Sequence, residues 1–216
     1  MRNLIFEAES NFVSLNFLKE ASEVTNSLSD SVKYCVIADA KVLSMHPSFK
    51  NQLLEKNCSI FEINEPEKQK NIETFSEIIA FMQKNNMNRN DCLIGFGGGA
   101  VTDLTGFVAS SYMRGIKYFQ IPTSLLAQVD ASIGGKTGIN FGHIKNFVGS
   151  FYNPTQIFIC AAFLKTLNDQ EFLNGFSEVI KHSIITSKES LEELKNTSQE
   201  IPVSYTHLTL PTKQMV

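Results

Sequence analysis

The feature that most constrains this chain is the stretch LIGFGGGAVTDL at residues 93–104, where an apolar run ends in three consecutive glycines and helix-forming sequence follows at once. Glycines directly before a helix leave its first backbone N–H groups uncovered, and such groups bind the pyrophosphate of a nucleotide. The stretch therefore predicts a strand, a turn and a helix that together bind a nucleotide cofactor. A tight turn into a helix, without a ligand, is the alternative explanation of the same glycines.

Strand and helix patterns alternate on both sides of this turn. Apolar runs predict strands at Tyr34–Asp39, Cys58–Ile63, 92–95, 118–122 and Gln156–Cys160. Helical spacing predicts helices at 43–56, 72–85, 101–114, 124–132 and 168–185. The glycine-rich segment 134–143 is predicted to be a loop. This rhythm predicts an α/β fold with a parallel sheet covered by helices on both faces.

Composition excludes several classes of protein. With 216 residues, 43% hydrophobic and 19% charged, the chain has the make-up of a soluble globular protein. Its net charge of -3 gives no field that would gather nucleic acid or an anionic membrane. No apolar run approaches the roughly 20 residues of a membrane helix, and the N-terminus has no signal-peptide core. We therefore expect a cytoplasmic protein whose four widely spaced cysteines are buried free thiols.

The position of the glycines argues against the ordinary dinucleotide fold. In that fold the glycine loop follows the first strand and an acidic residue comes about 20 residues later. Here two predicted strands precede it, and the next strand offers Lys117 and Gln120. The acidic residue at a strand end is Asp39, so ribose hydroxyls are expected near Asp39 and phosphates near the glycines. Asp103 has the alternative role of a carboxylate favoured by the helix dipole.

Cationic and amide side chains follow the glycine turn. Arg114, Asp130, Lys136, Lys145 and Asn146 are concentrated within about thirty residues, a pattern that suits a substrate that is a phosphate ester. Scattered surface lysines are the alternative. Further on, Glu178 and Lys181 are spaced i,i+3 on one predicted helix, where the alternative is a solvated ion pair.

Four blocks of this sequence resemble the consecutive signatures of 3-dehydroquinate synthase: GGGAVTDLTGFVAS, RGIKYFQIPTSLLAQVDASIGGKTGIN, KNFVGSFYNP and FLNGFSEVIKH. They occur in order and at matching spacing. The resemblance implies a lyase of the shikimate pathway, which closes 3-deoxy-D-arabino-heptulosonate 7-phosphate into 3-dehydroquinate with loss of phosphate and no net redox change. It also implies NAD, a divalent metal such as Zn or Co, and possible homodimers.

The resemblance carries roles to matching positions. It implies that NAD contacts Asp39, Glu65, Lys68, Gly98, Gly99, Asp103, Thr123, Ser124, Lys136, Lys145 and Thr166, with Glu65 and Lys68 a looser match. The residues implied to line the substrate pocket are Arg114, Asp130, Lys136, Lys145, Asn146 and Lys181. Glu178 is the one implied metal ligand present.

Departures from the family concern the second half. The family's other two metal ligands are histidines in an all-helical C-terminal domain, and His46, His143 and His207 match none of its blocks. The predicted organisation is an NAD-binding Rossmann-like α/β domain at 1–165, the start of a mostly missing helical domain at 166–201, and a foreign tail at 202–216. A disordered natural tail is the alternative for the last segment. Such a fragment is expected to be inactive.

Two other enzymes fit parts of this pattern. Another sugar phosphate cyclase would share the cofactor and the elimination of phosphate. A metal-dependent polyol dehydrogenase would share the architecture and the glycine loop, but it has no use for the lysine-bearing segments after the turn.

Overall fold

The structure, a computed structural model, describes residues 2–8 and 11–197. Its strands are β1 (Arg2–Ala8), β2 (Asn11–Leu18), β3 (Tyr34–Asp39), β4 (Cys58–Ile63), β5 (Cys92–Gly97), β6 (Lys117–Pro122), β7 (Lys136–Phe141), β8 (Ile144–Phe151) and β9 (Gln156–Cys160). Seven of them form one sheet in the order β1-β2-β9-β6-β5-β3-β4, in which only β1 is antiparallel to its neighbour. β7 and β8 form a separate antiparallel hairpin.

The helices connect these strands. They are α1 (Ala21–Asn26), α2 (Ala40–Ser44), α3 (Pro47–Glu55), α4 (Pro66–Gln69), α5 (Ile72–Lys84), α6 (Gly99–Ser111), α7 (Asp169–Thr186) and α8 (Lys188–Thr197). Side-chain caps fix where the longer ones begin: Asn71 accepts from the Thr74 N–H before α5, and Asn168 from the Glu171 N–H before α7. The predicted helix 43–56 is split, because Pro47 starts a new helix at its first position.

Apolar side chains are buried on both faces of the sheet. On β3, Val36 and Ala38 belong to a core cluster with the α2 and α3 residues Leu43 and Phe49, whereas Ile37 belongs to the opposite cluster. That second cluster includes residues of α5, α6 and the β7–β8 hairpin. Burial on both faces explains why the central strands are continuous apolar runs. The predicted parallel α/β fold is confirmed.

The prediction of a loop at 134–143 is wrong, because this segment contains the whole of β7 and the turn into β8. Gly138 and Gly149 face each other across the hairpin, and a Cβ on Gly149 would lie 2.1 Å from the Thr137 carbonyl oxygen. Gly142, with φ of +58°, turns the chain between the strands. Ile139 is fully buried, so the hairpin is part of the core.

The sheet has a topological switch between β3 and β5. From β3 the chain moves outward to β4, then returns to β5 on the other side of β3 and continues to β6. A crevice at the carboxyl ends of β3 and β5 is where sheets of this kind bind ligands. The end residue Asp39 and the turn at Gly97 lie at this crevice.

The C-terminal part adds a smaller cluster. Val179 of α7 and Leu194 of α8 pack with Leu125, Val129 and Leu164. The predicted domain boundary at 165 and the helical second domain remain predictions. The predicted foreign tail at 202–216 lies outside the described residues.

Candidate functional site

The glycine turn brings bare backbone to the crevice. Gly98 is the N-cap of α6 and has no side chain to cover the first N–H groups of the helix. At Gly97 a Cβ would lie 2.7 Å from a Val101 methyl and 3.3 Å from the Cβ of Asp39, so this position has no room for a side chain. The turn therefore presents uncovered N–H groups beside Asp39, as a nucleotide pyrophosphate requires.

Three other predicted cofactor residues lie at the same edge of the sheet. Thr123 is buried, and its N–H donates to the Gly97 carbonyl at 2.9 Å. Ser124 is adjacent, since a Cβ on Gly98 would be 3.4 Å from its hydroxyl. Thr166 follows β9, with its hydroxyl 3.3 Å from the ring of His46. One carboxylate oxygen of Asp39 caps α2 by accepting the N–H groups of Lys41 and Val42.

A buried lysine connects the turn to the hairpin. Lys70, whose side chain is 4% exposed, donates to the carboxylate of Asp103 in the first half of α6. The same ammonium donates to the Asn146 carboxamide oxygen at 2.5 Å. Lys70 was not predicted as a site residue from the sequence. The signal that could have pointed to it is its position between the acidic residues of the preceding segment and the cap of α5. The arrangement ties two predicted site residues, Asp103 and Asn146, to one cation.

Burial sets the protonation of Asp103. Desolvation raises the pKa of this carboxyl above its ordinary value, and the Lys70 ammonium opposes the rise without cancelling it. Asp103 therefore accepts a proton more readily than a carboxylate in a solvated ion pair does.

The stability of the chain should depend on pH through Asp103. At a pH between the unfolded and the raised folded pKa, the folded chain holds a proton that the unfolded chain has released. The free energy of unfolding is thus expected to fall as pH rises through that window, and to be level above it. Urea unfolding between about pH 4 and pH 7 measures this slope. Asp103→Asn should remove it and the exposed Asp30→Asn should not; equal slopes in both variants would contradict the assignment.

One cavity collects three predicted residues. It has a volume of about 350 Å³ and lies between α6 and the hairpin, where Asp103, Lys136 and Asn146 contribute to its wall. The remaining lining residues belong to the hairpin: Thr137, Gly138, Gly149, Ser150 and Phe151. A cavity with an ammonium, an amide and a carboxylate beside an uncovered helix N-terminus suits an anionic, hydroxyl-bearing ligand.

The tip of the hairpin contacts the segment between β4 and α5. Lys145 forms an ion pair with Glu67 at 2.7 Å, and both side chains are more than half exposed. Such a solvated pair contributes about 0–1 kcal/mol, so it is easily exchanged for another anion. By contrast, the predicted cofactor residues Glu65 and Lys68 pair with each other at 2.5 Å on the surface. The structure favours Lys70 over Lys68 as the lysine that reaches the site.

Helix α7 brings the predicted metal and substrate residues towards the turn. It crosses the segment after β6 so closely that a Cβ on Gly175 would lie 2.5 Å from the Leu126 nitrogen. One turn further along, Lys181 donates to Glu178 at 2.5 Å, and this bond raises the pKa of Lys181. Asp130 is exposed on the segment after β6 and does not line the cavity.

A metal centre is not complete within the described residues. No three His, Cys, Asp or Glu side chains of residues 2–8 and 11–197 are grouped as metal ligands. Glu178 alone, paired with Lys181, does not fit a divalent cation.

Of the predicted substrate residues, Lys136 and Asn146 line the cavity, whereas Asp130, Lys145, Lys181 and Arg114 do not. Arg114 lies at the far end of α6. It follows the C-terminal end of α6, and this 13-residue helix separates it from the glycine turn by roughly 20 Å. Its φ of +68° directs the chain into Gly115 and β6.

Comparison with known proteins identifies the family. The sequence profile of the 3-dehydroquinate synthase N-terminal domain matches residues 60–174, just over half of the chain. The chain belongs to the 3-dehydroquinate synthase family. A 3-dehydroquinate synthase from Clostridium tetani is 42% identical over 196 residues, covering 88% of this chain and 52% of the relative. A 3-dehydroquinate synthase from Streptococcus suis is 46% identical over 165 residues, covering 75% of this chain and 46% of the relative.

Solved structures of two cyclases share the fold of this chain. The 2-epi-5-epi-valiolone synthase ValA from Streptomyces hygroscopicus, solved with NAD+ and Zn2+, superposes with a TM-score of 0.77 at 26% identity. It is matched over 93% of this chain and 56% of its own. A 2-deoxy-scyllo-inosose synthase complexed with carbaglucose-6-phosphate, NAD+ and Co2+ shares the fold, with a TM-score of 0.79 at 21% identity over 87% of this chain and 54% of its own.

This member of the family spans about half the length of the curated relatives it matches. Within residues 2–8 and 11–197, none of the helices combines the length and the apolar character that crossing a bilayer demands.

Proposed function

We propose that this chain is the NAD-binding part of a 3-dehydroquinate synthase, which converts 3-deoxy-D-arabino-heptulosonate 7-phosphate into 3-dehydroquinate with elimination of phosphate. The observation that carries the proposal is the shared cavity of Asp103, Lys136 and Asn146 beside the uncovered N-terminus of α6. It allows a nucleotide on the turn and a phosphate ester on the hairpin to meet at one place. Family membership supports the choice of reaction.

NAD fits the crevice between β3 and β5. Asp39 would accept hydrogen bonds from ribose hydroxyls, and the N–H groups after Gly98 would bind the pyrophosphate. The bound cofactor would supply reversible hydride transfer at a substrate hydroxyl. Lys70 and Asp103 would orient the groups next to it, and Thr123, Ser124 and Thr166 would complete the edge.

The phosphate ester would be held by the hairpin and α7. Lys136, Lys145 and Asn146 present donors on the hairpin, and Lys181 would add a cation from α7. Anions bind such groups through charge-assisted hydrogen bonds. For the whole enzyme, the proposal includes a divalent metal, Zn or Co, of which Glu178 would be one of several ligands.

A homodimer is also part of the proposal. Arg114 lies beyond the far end of α6, away from the cavity of its own chain. If Arg114 binds substrate, it would therefore do so in the site of a second copy. Analytical ultracentrifugation tests this: a monomer at all concentrations would remove Arg114 from the site.

The whole enzyme provides the test of the reaction. A full-length copy should release phosphate from the heptulosonate phosphate, whereas the 216-residue chain alone should turn nothing over. Release from sedoheptulose 7-phosphate instead would favour another sugar phosphate cyclase, and NADH accumulation with glycerol would favour a polyol dehydrogenase.

On the 216-residue chain itself, NAD titrated into the ¹⁵N-labelled protein should shift the amide resonances of Gly98 and Gly99. Unchanged amides there would refute the cofactor site.

A further inference from the structure

Asn140 lies at the end of β7, where the hairpin meets the segment between β4 and α5. Its backbone N–H donates to the Lys70 carbonyl at 2.8 Å, and its side-chain NH₂ donates to the Glu67 carbonyl at 3.4 Å. Its carboxamide oxygen accepts the backbone N–H of Asn146 at 3.0 Å. One side chain thus connects the segment that carries Lys70 to the residue that Lys70 contacts.

Asn146 needs such a connection because its backbone is in the left-handed region, with φ of +52°. Asparagine tolerates this region better than most residues, but the conformation is less populated and depends on its surroundings. Regular pairing between β7 and β8 is also interrupted by a register shift between Ile139 and Phe141. At this point the Asn146 N–H donates to the Asn140 side chain in place of a backbone carbonyl of the opposite strand.

The conformation decides where the Asn146 side chain goes. With its N–H held by Asn140, its carboxamide lies at Lys70 and in the wall of the cavity. A different φ would turn the carboxamide away, and Lys70 would lose its second acceptor.

We propose that Asn140 is a positioning residue, which holds Asn146 in its left-handed conformation and so builds the anion-binding wall of the cavity. This inference rests on the proposed function, because it assigns Asn140 a part in binding the phosphate group. The chemical class of ligand is a phosphate monoester, for which inorganic phosphate is the probe.

A double-mutant cycle on the whole 216-residue chain tests the proposal. Inorganic phosphate is titrated into ¹⁵N-labelled protein, and its affinity is read from the backbone amides of the hairpin. Asn140→Ala is expected to weaken phosphate binding about threefold to tenfold, the effect of one lost hydrogen bond. In the background of Asn146→Ala the same substitution should have no further effect, because Asn140 acts through Asn146.

Hydrogen exchange reports the contact directly. The Asn146 amide should exchange faster in Asn140→Ala and stay protected in Asn140→Asp, which keeps the accepting oxygen. Asn85→Ala, which loses a side-chain bond to the Phe81 carbonyl at the end of α5, is the matched control and should leave the affinity for phosphate unchanged.

Three results would overturn the inference. An equal loss of affinity in both backgrounds would show that Asn140 acts without Asn146. If the Asn146 amide exchanges faster in Asn140→Ala while the affinity for phosphate is unchanged, Asn140 has only a structural role. If the unaltered chain binds neither NAD nor phosphate, the proposed function itself fails and the inference falls with it.

Discussion

Lys70→Met is expected to lower the free energy of unfolding by about 3 kcal/mol. The substitution shortens the side chain by only one atom and removes its charge, so Asp103 loses its cation within a mostly buried environment. Breaking a buried pair from one side costs about 3–5 kcal/mol, and the lower end applies here because the Asp103 side chain is 21% exposed. Urea unfolding at neutral pH measures the change.

Lys68→Met is the matched control. Lys68 lies two residues earlier, is 76% exposed and pairs with Glu65, so its substitution should change stability by less than about 0.5 kcal/mol. The same two variants discriminate between cofactor lysines. We expect Lys70→Met to weaken NAD binding at least about tenfold, because both Asp103 and Asn146 lose their shared partner, and Lys68→Met to leave it nearly unchanged. The reverse order would restore Lys68 to the site and contradict the placement of Lys70.

Five of the parallel strands could be predicted from sequence, in three cases to the residue. Tyr34–Asp39, Cys58–Ile63 and Gln156–Cys160 are strands with the predicted bounds. A strand in a parallel sheet covered on both faces is a short apolar run, which the sequence displays directly. The glycine turn and its helix could be found for a related reason, because few other structures use three glycines between a strand and a helix.

The β7–β8 hairpin could not be recognised by the same reasoning. The glycines of segment 134–143 predict a loop, yet Gly138 and its partner Gly149 occur in the hairpin because neighbouring backbone leaves no room for Cβ atoms. That crowding depends on the partner strand, which the sequence of one strand does not show. Gly142 between two segments with β-branched residues was the available signal of a turn.

Lys70 shows a second limit of the sequence. Its ion partner Asp103 is 33 residues further along the chain, and its acceptor Asn146 is 76 residues away. Burial of a lysine follows from such partners and not from its neighbours in sequence. The roles of the remaining site residues stay predictions, although the fold places Asp103, Lys136 and Asn146 together as the proposal requires.

Gly106→Ala tests whether α6 fixes the position of the hairpin. In the interior of an exposed helix this substitution would stabilise the protein by about 1 kcal/mol. Here a Cβ would lie 2.3 Å from the Thr137 methyl and 3.2 Å from the Tyr118 hydroxyl. Neither group can turn away freely: the Thr137 hydroxyl is bonded to the Ser150 carbonyl at 2.8 Å, and Tyr118 to the Tyr152 carbonyl at 2.6 Å. Overpacking should therefore win, with a net loss of about 2 kcal/mol in urea unfolding.

The compensating variant Gly106→Ala/Thr137→Ser separates a local clash from general damage to the helix. Serine lacks the methyl that the new Cβ would strike and keeps the hydroxyl that bonds to Ser150, so most of the lost stability should return. Since Lys136 adjoins Thr137, the single variant should also weaken phosphate binding, and the double variant should recover it. If Gly106→Ala stabilised the chain, helix propensity would outweigh the contact, and the hairpin could not be packed on α6 as closely as the cavity requires.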